Sequence, residues 1–528
     1  MSIVRARIER VVASRWCIVA VFLLALLLAS STVALGEFGD EADNLVLGNL
    51  LRQGHRLYGE LFSHHFPGAY YWVAGVQVLV GTSIVAIRVA LACWQIGLLA
   101  LTARLTRRST ALALLALAWS LLRVFYRGQM VLYSSLSGVS IVAAGALAWD
   151  LLDVEAPARS PAWLRASLLG LCGGLGMLAN PLVVYPLGVA LLVLAVKDWR
   201  RAAIALAASV GIVGVYALHL TASSGWADFY RDALLFNAHI YSRYTPTDPQ
   251  RLTATVKAAA TGLGICDGQW WRLSWRPEDG LGTGAFDRWV ATGLLYRFAV
   301  LAATVSLASR RRWHEAVLVY LLAAATLATE DPSFRRQGFT LFAMLCALEL
   351  VLDERGEAAR TRRHQWLLGA MRLGIAAGLT WACVYSAGFL AYHREELSYD
   401  HTFGQQIRQA EMISAQVCDQ ADVKLAAYPD GRYLCLLTGL EPLGGYPYVW
   451  PWVADVAMPA LLTQLAAPDT KAIVVIEHTV VWQQHDTRVY LAPLLELIEA
   501  RYTPVGPDMY LSPAQARSCQ NARQEVAR

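Results

Sequence analysis

Eleven apolar runs, separated by short segments that carry arginine, constrain this chain more than any other feature. They cover Cys17–Leu35, Ser83–Ala103, Thr110–Leu122, Met130–Trp149, Trp163–Leu178, Pro181–Val196, Ala202–Ala222, Trp289–Ala308, Trp313–Ala328, Gly338–Leu352 and Trp366–Tyr392. A hydrocarbon core about 30 Å thick needs about 20 apolar residues per helix, at 1.5 Å of rise per residue. Repeated runs of this length therefore predict an α-helical polytopic membrane protein with about 11 transmembrane helices. With 56% hydrophobic and 16% charged residues and a positive mean hydropathy, the chain is too apolar for a set of soluble domains. The net charge of +5 sits in arginine clusters between apolar runs, which is how membrane topology is encoded, so it implies membrane lipids and no nucleic-acid partner.

The first run follows Arg5, Arg7, Arg10 and Arg15 and can be read as a signal peptide or an uncleaved anchor. Its length exceeds a typical signal core, and the anchor is the reading adopted. A twelfth run, Pro67 to Val80, would cover only about 21 Å as a helix. Laid along the membrane surface as a juxtamembrane helix (67–80), it leaves nineteen Arg and Lys residues in the cytoplasmic segments and six in the short outer segments. If it spanned, every later loop would invert and the positive-inside rule would fail. The expected placement is a bacterial inner (cytoplasmic) membrane, with the N-terminus cytoplasmic and the C-terminal domain extracytoplasmic. The expected division is a transmembrane domain, residues 1–392, followed by an extracytoplasmic α/β domain, residues 393–528. The outer features are a first loop (36–82), a turn (123–129), a long loop (223–288) and that domain. In the tail, helical patterns at Phe403–Val417, Pro459–Leu465 and Leu491–Ala500 alternate with β-like runs at Lys424–Tyr428, Ala472–Glu477 and Met509–Leu511.

Of the nine cysteines, Cys17, Cys93, Cys172, Cys346 and Cys383 fall in spans, where a thiol behaves as a small apolar group. Cys266, Cys418, Cys435 and Cys519 fall outside. They permit two disulfides in three connectivities or four separate thiols, and they have no zinc-site spacing.

Immediately after the first span come Asp40 and Glu41, placed where a carboxylate at a membrane surface can be partly desolvated for base catalysis. A Gly-x-x-x-Tyr segment, Gly54 to Tyr58, follows. After it comes a His-x-Pro-like element that leads into aromatics, with His64, His65, Phe66, Pro67, Tyr70 and Tyr71. In order and spacing these elements resemble the GT-C superfamily of membrane glycosyltransferases, in the branch with protein O-mannosyltransferases and lipid A aminoarabinose transferases. The outer turn Arg123-Val-Phe-Tyr-Arg127-Gly-Gln129 matches that pattern in its arginine but has Gln129 where an acid is usual. Asn180 likewise stands where a Lys is common. Residues Gly225 to Tyr241, with Phe229 and Asn237, resemble the corresponding pattern of bacterial members.

The resemblance implies transfer of a sugar from a polyprenyl-phosphate-linked donor to a glycan, lipid or protein hydroxyl. Such chemistry needs a base for the acceptor and positive charge for the departing phosphate. The expected base is Asp40, supported by Glu41. Arg127, Arg335, Arg336 and His65 are expected at the donor phosphate, and Tyr58, His64, Asn237 and Tyr241 at the substrate. Arg335 and Arg336 can equally flank a span, and His64 and His65 can be structural. No metal ligand is identified, and a divalent metal is possible. The rival reading is a transporter or a non-enzymatic scaffold in which Arg88, Arg123, Asn180 and His219 line a path through the membrane.

Overall fold

In a computed structural model of the chain the described residues are 15–153, 160–244, 251–263, 265, 293–330, 336–352, 362–392, 394–418, 422–482 and 484–527. They form two compact units. One combines Met1–Leu35, Arg88–His219 and Asp248–Leu397, and the other Gly36–Ile87, Leu220–Thr247 and Ser398–Arg528.

The first unit is a helical bundle. Among the described residues of the whole chain, six helices are long and apolar enough to cross a membrane: Ile84–Leu105, Ser109–Tyr126, Tyr133–Leu152, Ala162–Ala179, Pro181–Ala222 and Gly369–Tyr392. Shorter apolar helices include Arg15–Ser30, Trp313–Thr329 and Gln337–Leu352. The two spans expected between Pro181 and Ala222 appear as one helical stretch broken at Asp198, whose φ of −154° and ψ of 91° are extended. Its carboxylate accepts from the backbone N–H of Arg201 at 3.2 Å and so caps the helix that restarts there. The run expected from Trp289 begins as a helix at Leu294, and residues 289–292 lie outside the described ones.

At the centre is Tyr133–Leu152, buried from Ser134 to its end, with serine, glycine and alanine at many contact positions. A Cβ on Gly138 would come within 3.1 Å of the Gly338 backbone, and one on Gly145 within 2.8 Å of Phe342. Small residues are what let neighbouring helices approach this closely.

Both ends of the bundle are held by buried polar groups, each with a partner. At one end Arg107 pairs with Asp150 at 3.1 Å, Arg165 also pairs with Asp150, Arg312 pairs with Asp153 at 3.0 Å, and Arg108 pairs with Glu349 at 2.5 Å. The Arg201 guanidinium donates to the Leu151 carbonyl there. Members of four arginine clusters assigned to one membrane side by charge counting therefore gather at one end.

At the other end Arg123, fully buried, donates to the Ala29 carbonyl at 2.6 Å, and Arg88 donates to the carbonyls of Val33 and Leu35. The amide of Gln129 donates to the same Leu35 carbonyl, and Gln337 donates to the Tyr126 carbonyl at 2.7 Å. Glu330 accepts from the N–H groups of Gly338 and Phe339 at 2.7 and 2.9 Å, closing the start of the Gln337–Leu352 helix. Arg88 and Arg123 thus fasten chain reversals, and Asn180 caps locally by accepting from the Leu182 N–H. None of these three contacts is what a permeation path requires.

The second unit joins the first loop, the start of the long loop and the C-terminal α/β region. Its five-stranded sheet runs in the order β2-β1-β3-β7-β6, with β1 Lys424–Tyr428, β2 Glu441–Pro442, β3 Ala472–Ile476, β6 Thr503–Gly506 and β7 Met509–Leu511. Strands β1 and β3 are parallel, with Lys424 opposite Ala472, whereas β7 is antiparallel to β3. A small ribbon pairs β4 Val480–Val481 with β5 His485–Asp486. The expected strands at 424–428, 472–477 and 509–511 are all present, and Ala426, Val474 and Ile476 enter a core that also takes Phe62 and Phe236. Gly68–Val80 is a helix of 13 residues packed on Gly39–Arg52, where Gly48 lies so close to Val73 that a Cβ would overlap it.

The segment expected as one long loop is divided. Leu220–Thr247 belongs to the second unit, whereas the helix Arg251–Ala260 packs on Trp313–Thr329 in the first. Cys418 and Cys519 form a disulfide, Cys435 is a buried free thiol, and Cys266 lies outside the described residues.

Replacing Arg123 with Met removes the charged hydrogen bond to the Ala29 carbonyl, which keeps only the weaker donors of Thr32, and should destabilise the protein by about 1–3 kcal/mol. Denaturant unfolding of the detergent-solubilised protein checks this. The exposed Lys197→Met control should leave the midpoint unchanged, and an unchanged midpoint for Arg123→Met would contradict the fastening role.

Candidate functional site

The second unit gathers its ionisable groups where the Gly39–Arg52 helix begins. That helix carries Asp40 and Glu41 in its first turn and Arg52 in its last, each sign at the end its dipole favours. Ten of its residues are buried, Asp43 and Asn44 among them, so its polar groups must find partners within the protein.

The main partner is Arg432. Strand β1 ends at Tyr428, and after Pro429, Asp430 and Gly431 the short helix Arg432–Thr438 starts. Its first residue therefore stands beyond the carboxyl end of a parallel strand, where open α/β sheets commonly place functional groups. The Arg432 guanidinium is almost fully buried, grips both oxygens of Asp430, and lies 3.9 Å from Asp40. It also sits over the rings of Tyr448 and Trp450, at 4.5 and 5.0 Å from their centroids. Burial pulls its pKa down, but Asp430, Asp43 and Asp40 outweigh that and hold it well above the usual value. The guanidinium fills the space that Gly39 leaves: a Cβ there would stand 2.1 Å from an Arg432 nitrogen and displace it.

Three carboxylates on the helix have different situations. Asp40 keeps about a fifth of its side chain exposed. Glu41 is completely buried and accepts from the Tyr433 hydroxyl at 3.3 Å, so it braces the Arg432–Thr438 helix. Asp43 is buried, with one oxygen accepting from the Tyr70 hydroxyl at 2.7 Å and the other without a hydrogen-bond partner. Burial raises its pKa to about 7, against the opposing pull of Arg432 and Tyr70.

The His-x-Pro-like element packs beside this group. Ser63 and Tyr70 share a hydroxyl contact of 2.6 Å, and the Ser63 oxygen accepts from the His65 N–H. The buried His64 ring lies 4.0 Å from His65 and 4.8 Å from Tyr241, with its Nδ1 3.3 Å from the Tyr448 hydroxyl. Burial, then the neighbouring His65 and Arg432, push His64 well below its ordinary pKa, so it is neutral at pH 7. His65 is also lowered, by burial against the opposing pull of Asp40.

Of the residues expected at the substrate, Tyr58 has a left-handed φ of 67° and donates its hydroxyl to the His65 carbonyl at 2.8 Å. Asn237 donates to the His64 carbonyl. Both therefore shape the loop that carries the histidines, while Tyr241 packs on the His64 ring itself. Arg127 and Arg336 stand at chain reversals of the first unit, each with a left-handed φ, of 55° and 49°. Arg335 lies outside the described residues. Among the described residues no three His, Cys, Asp or Glu side chains converge as a metal-ligand set.

Asp43, Asp430 and Arg432 are the residues that the motif reading missed. Asp43 lies three residues after Asp40, a spacing that puts both on one helical face, and Asp430-Gly-Arg432 follows a recognisable β-like run.

The raised pKa of Asp43 makes stability pH-dependent. The folded state holds its proton up to about pH 7, whereas the unfolded chain releases it near the usual carboxylate value. This contribution is therefore fully present at low pH and lost as pH rises toward 7. Thermal unfolding from pH 5 to 8 should show a smaller decline for Asp43→Asn than for the wild type, and equal declines would contradict the assignment.

No protein-family model matches the sequence, and no curated protein sequence matches it. Similarity appears among solved structures. ArnT from Cupriavidus metallidurans bound to undecaprenyl phosphate is similar with a TM-score of 0.50 and 15% identity, over 95% of this chain and 98% of that one. The oligosaccharyltransferase of Archaeoglobus fulgidus, tethered to an acceptor peptide with an NVT sequon, is similar with a TM-score of 0.50 and 14% identity, over 94% of this chain and 74% of that one. Together with the apolar helices, this makes the chain a multi-pass membrane protein with the fold of the GT-C glycosyltransferases.

Proposed function

We propose that the protein is a membrane glycosyltransferase of GT-C type. It moves a sugar from a polyprenyl-phosphate-linked donor to a hydroxyl of a glycan, lipid or protein acceptor on the extracytoplasmic face of the inner membrane. The observation that carries this reading is the partly exposed Asp40 beside the buried Arg432, on a fold shared with a protein solved with undecaprenyl phosphate bound.

Inverting transfer is a single displacement. The acceptor hydroxyl oxygen attacks the anomeric carbon and its proton passes to an Asp40 oxygen. The bond from that carbon to the phosphate oxygen breaks on the opposite face, and its electron pair leaves with the polyprenyl phosphate. Arg432, 3.9 Å away, orients the Asp40 side chain toward the reacting hydroxyl. Glu41 supports it indirectly by bracing the Arg432–Thr438 helix through Tyr433. The positive charge for the departing phosphate is assigned to Arg127, Arg335 and Arg336, whose forked donors suit phosphate oxygens. His65 is assigned a neutral hydrogen bond to the donor. Tyr58, His64, Asn237 and Tyr241 form the wall beside the reacting sugar. No step in this proposal uses a metal.

Asp40→Asn keeps the size of the side chain and removes the base. Transfer should fall by about 10²–10⁴-fold while the protein still folds and inserts in the membrane. Radiolabelled transfer in isolated membranes checks this, and wild-type activity in the variant would remove Asp40 from the mechanism.

A further inference from the structure

The second unit contains a cavity of about 470 Å³ that none of the steps above uses. Its size lies in the range of small-molecule sites, about 300–1,000 Å³. One wall is aromatic: Phe62 meets Phe236 edge to face at 5.0 Å and Tyr446 in a tilted contact at 5.6 Å. Another is polar, with Asp232, Arg231 and Glu60.

The polar wall is cross-linked by ion pairs. Asp232 is buried, and both of its oxygens accept from Arg231, at 2.6 and 3.0 Å. The same guanidinium donates to the Asp228 carboxylate and the Tyr58 carbonyl, both at 3.0 Å. Glu60 accepts from the backbone N–H and the guanidinium of Arg56. Gly444, with a φ of 66°, lines the cavity, and the next residue, Gly445, packs so closely on the loop that a Cβ would stand 2.1 Å from the Glu60 carbonyl.

The helix that lines the cavity is unusual in its backbone. Tyr230–Leu235 and Asn237–Tyr241 are both π-helical. Such turns are rare and are found disproportionately at functional sites. Here they bring Asp232, Leu235, Phe236, His239 and Ile240 to one face.

We propose that this cavity binds a neutral sugar ring of the acceptor, which makes the acceptor a glycan; this rests on the transferase reading. Aromatic faces pack against the C–H face of a pyranose, and carboxylates held by arginine accept hydrogen bonds from its hydroxyls. Asp228, Asp232 and Glu60 against the guanidiniums of Arg231 and Arg56 leave this wall net negative, which disfavours the donor's phosphate. A single layer of side chains separates the cavity from the histidines. The Tyr58 hydroxyl holds the His65 carbonyl, and Phe236 packs on the His64 ring at 5.7 Å. The bound ring is therefore a neighbour of the reacting residue in an extended glycan.

The test uses the full chain, labelled and held in nanodiscs, on an array of bacterial envelope oligosaccharides. Undecaprenyl phosphate binding is measured separately by thermal shift. The wild type should retain at least one neutral glycan. Val456→Trp and Leu235→Phe, which fill the cavity, should bind it at least tenfold more weakly with an unchanged melting temperature. The inference is overturned if no glycan is retained, if only phosphorylated glycans are retained, or if both variants fold and bind as the wild type does. Absence of undecaprenyl phosphate binding with glycan binding intact overturns the donor reading and leaves this inference standing.

Discussion

The second unit is organised around one buried guanidinium. Taking Arg432 out of water is costly unless opposite charges replace its hydration, and Asp430 and Asp40 do so, joined by Asp43 as it ionises near pH 7. This requirement dictates much of the local structure. Gly39 leaves the space that the guanidinium fills, the Arg432–Thr438 helix must begin where β1 delivers it, and Tyr448 and Trp450 must stand beneath the charge. One consequence is that two neighbouring carboxyl groups on a single helix differ chemically. Asp40 stays in partial contact with water, whereas Asp43 is desolvated and hydrogen-bonded to Tyr70.

The first unit obeys a different constraint, the low tolerance of hydrocarbon for unpaired polar groups. Its buried arginines and glutamates sit at chain reversals and at the two ends of the bundle, where they close backbone carbonyls, cap helix starts or pair with one another. Gln129 illustrates the economy of this arrangement. It departs from the family pattern by replacing an acid, and its amide donates to the Leu35 carbonyl, just before the chain enters the loop that carries Asp40.

Membrane character, the apolar helices and three strands of the tail were legible because hydropathy and alternation are local signals. Lys424–Tyr428, Ala472–Ile476 and Met509–Leu511 are strands much as their patterns suggest. The break at Asp198 also falls between two runs that sequence separates. Asp40 was legible from its position after the first span. Arg432 was not, because nothing local announces a partner almost 400 residues away, and Asp43 was hidden by the same non-locality. Tyr58 and Asn237 were expected at the substrate, and the structure places them beside the histidines. Their hydrogen bonds to the His65 and His64 carbonyls, which make them supports of that loop, depend on backbone turns that no residue pattern specifies. The small strands β2, β4 and β5 were too short to leave a periodic signature.

The central claim, transfer of a sugar from a lipid-phosphate carrier, is tested most directly by mass spectrometry of envelope lipids and glycans. Cells lacking the gene would be compared with cells carrying it on a plasmid. The account predicts that the deletion loses one sugar-bearing species and accumulates a polyprenyl-phosphate-linked sugar, with both changes reversed by complementation. Identical lipid and glycan profiles in the two strains would contradict it.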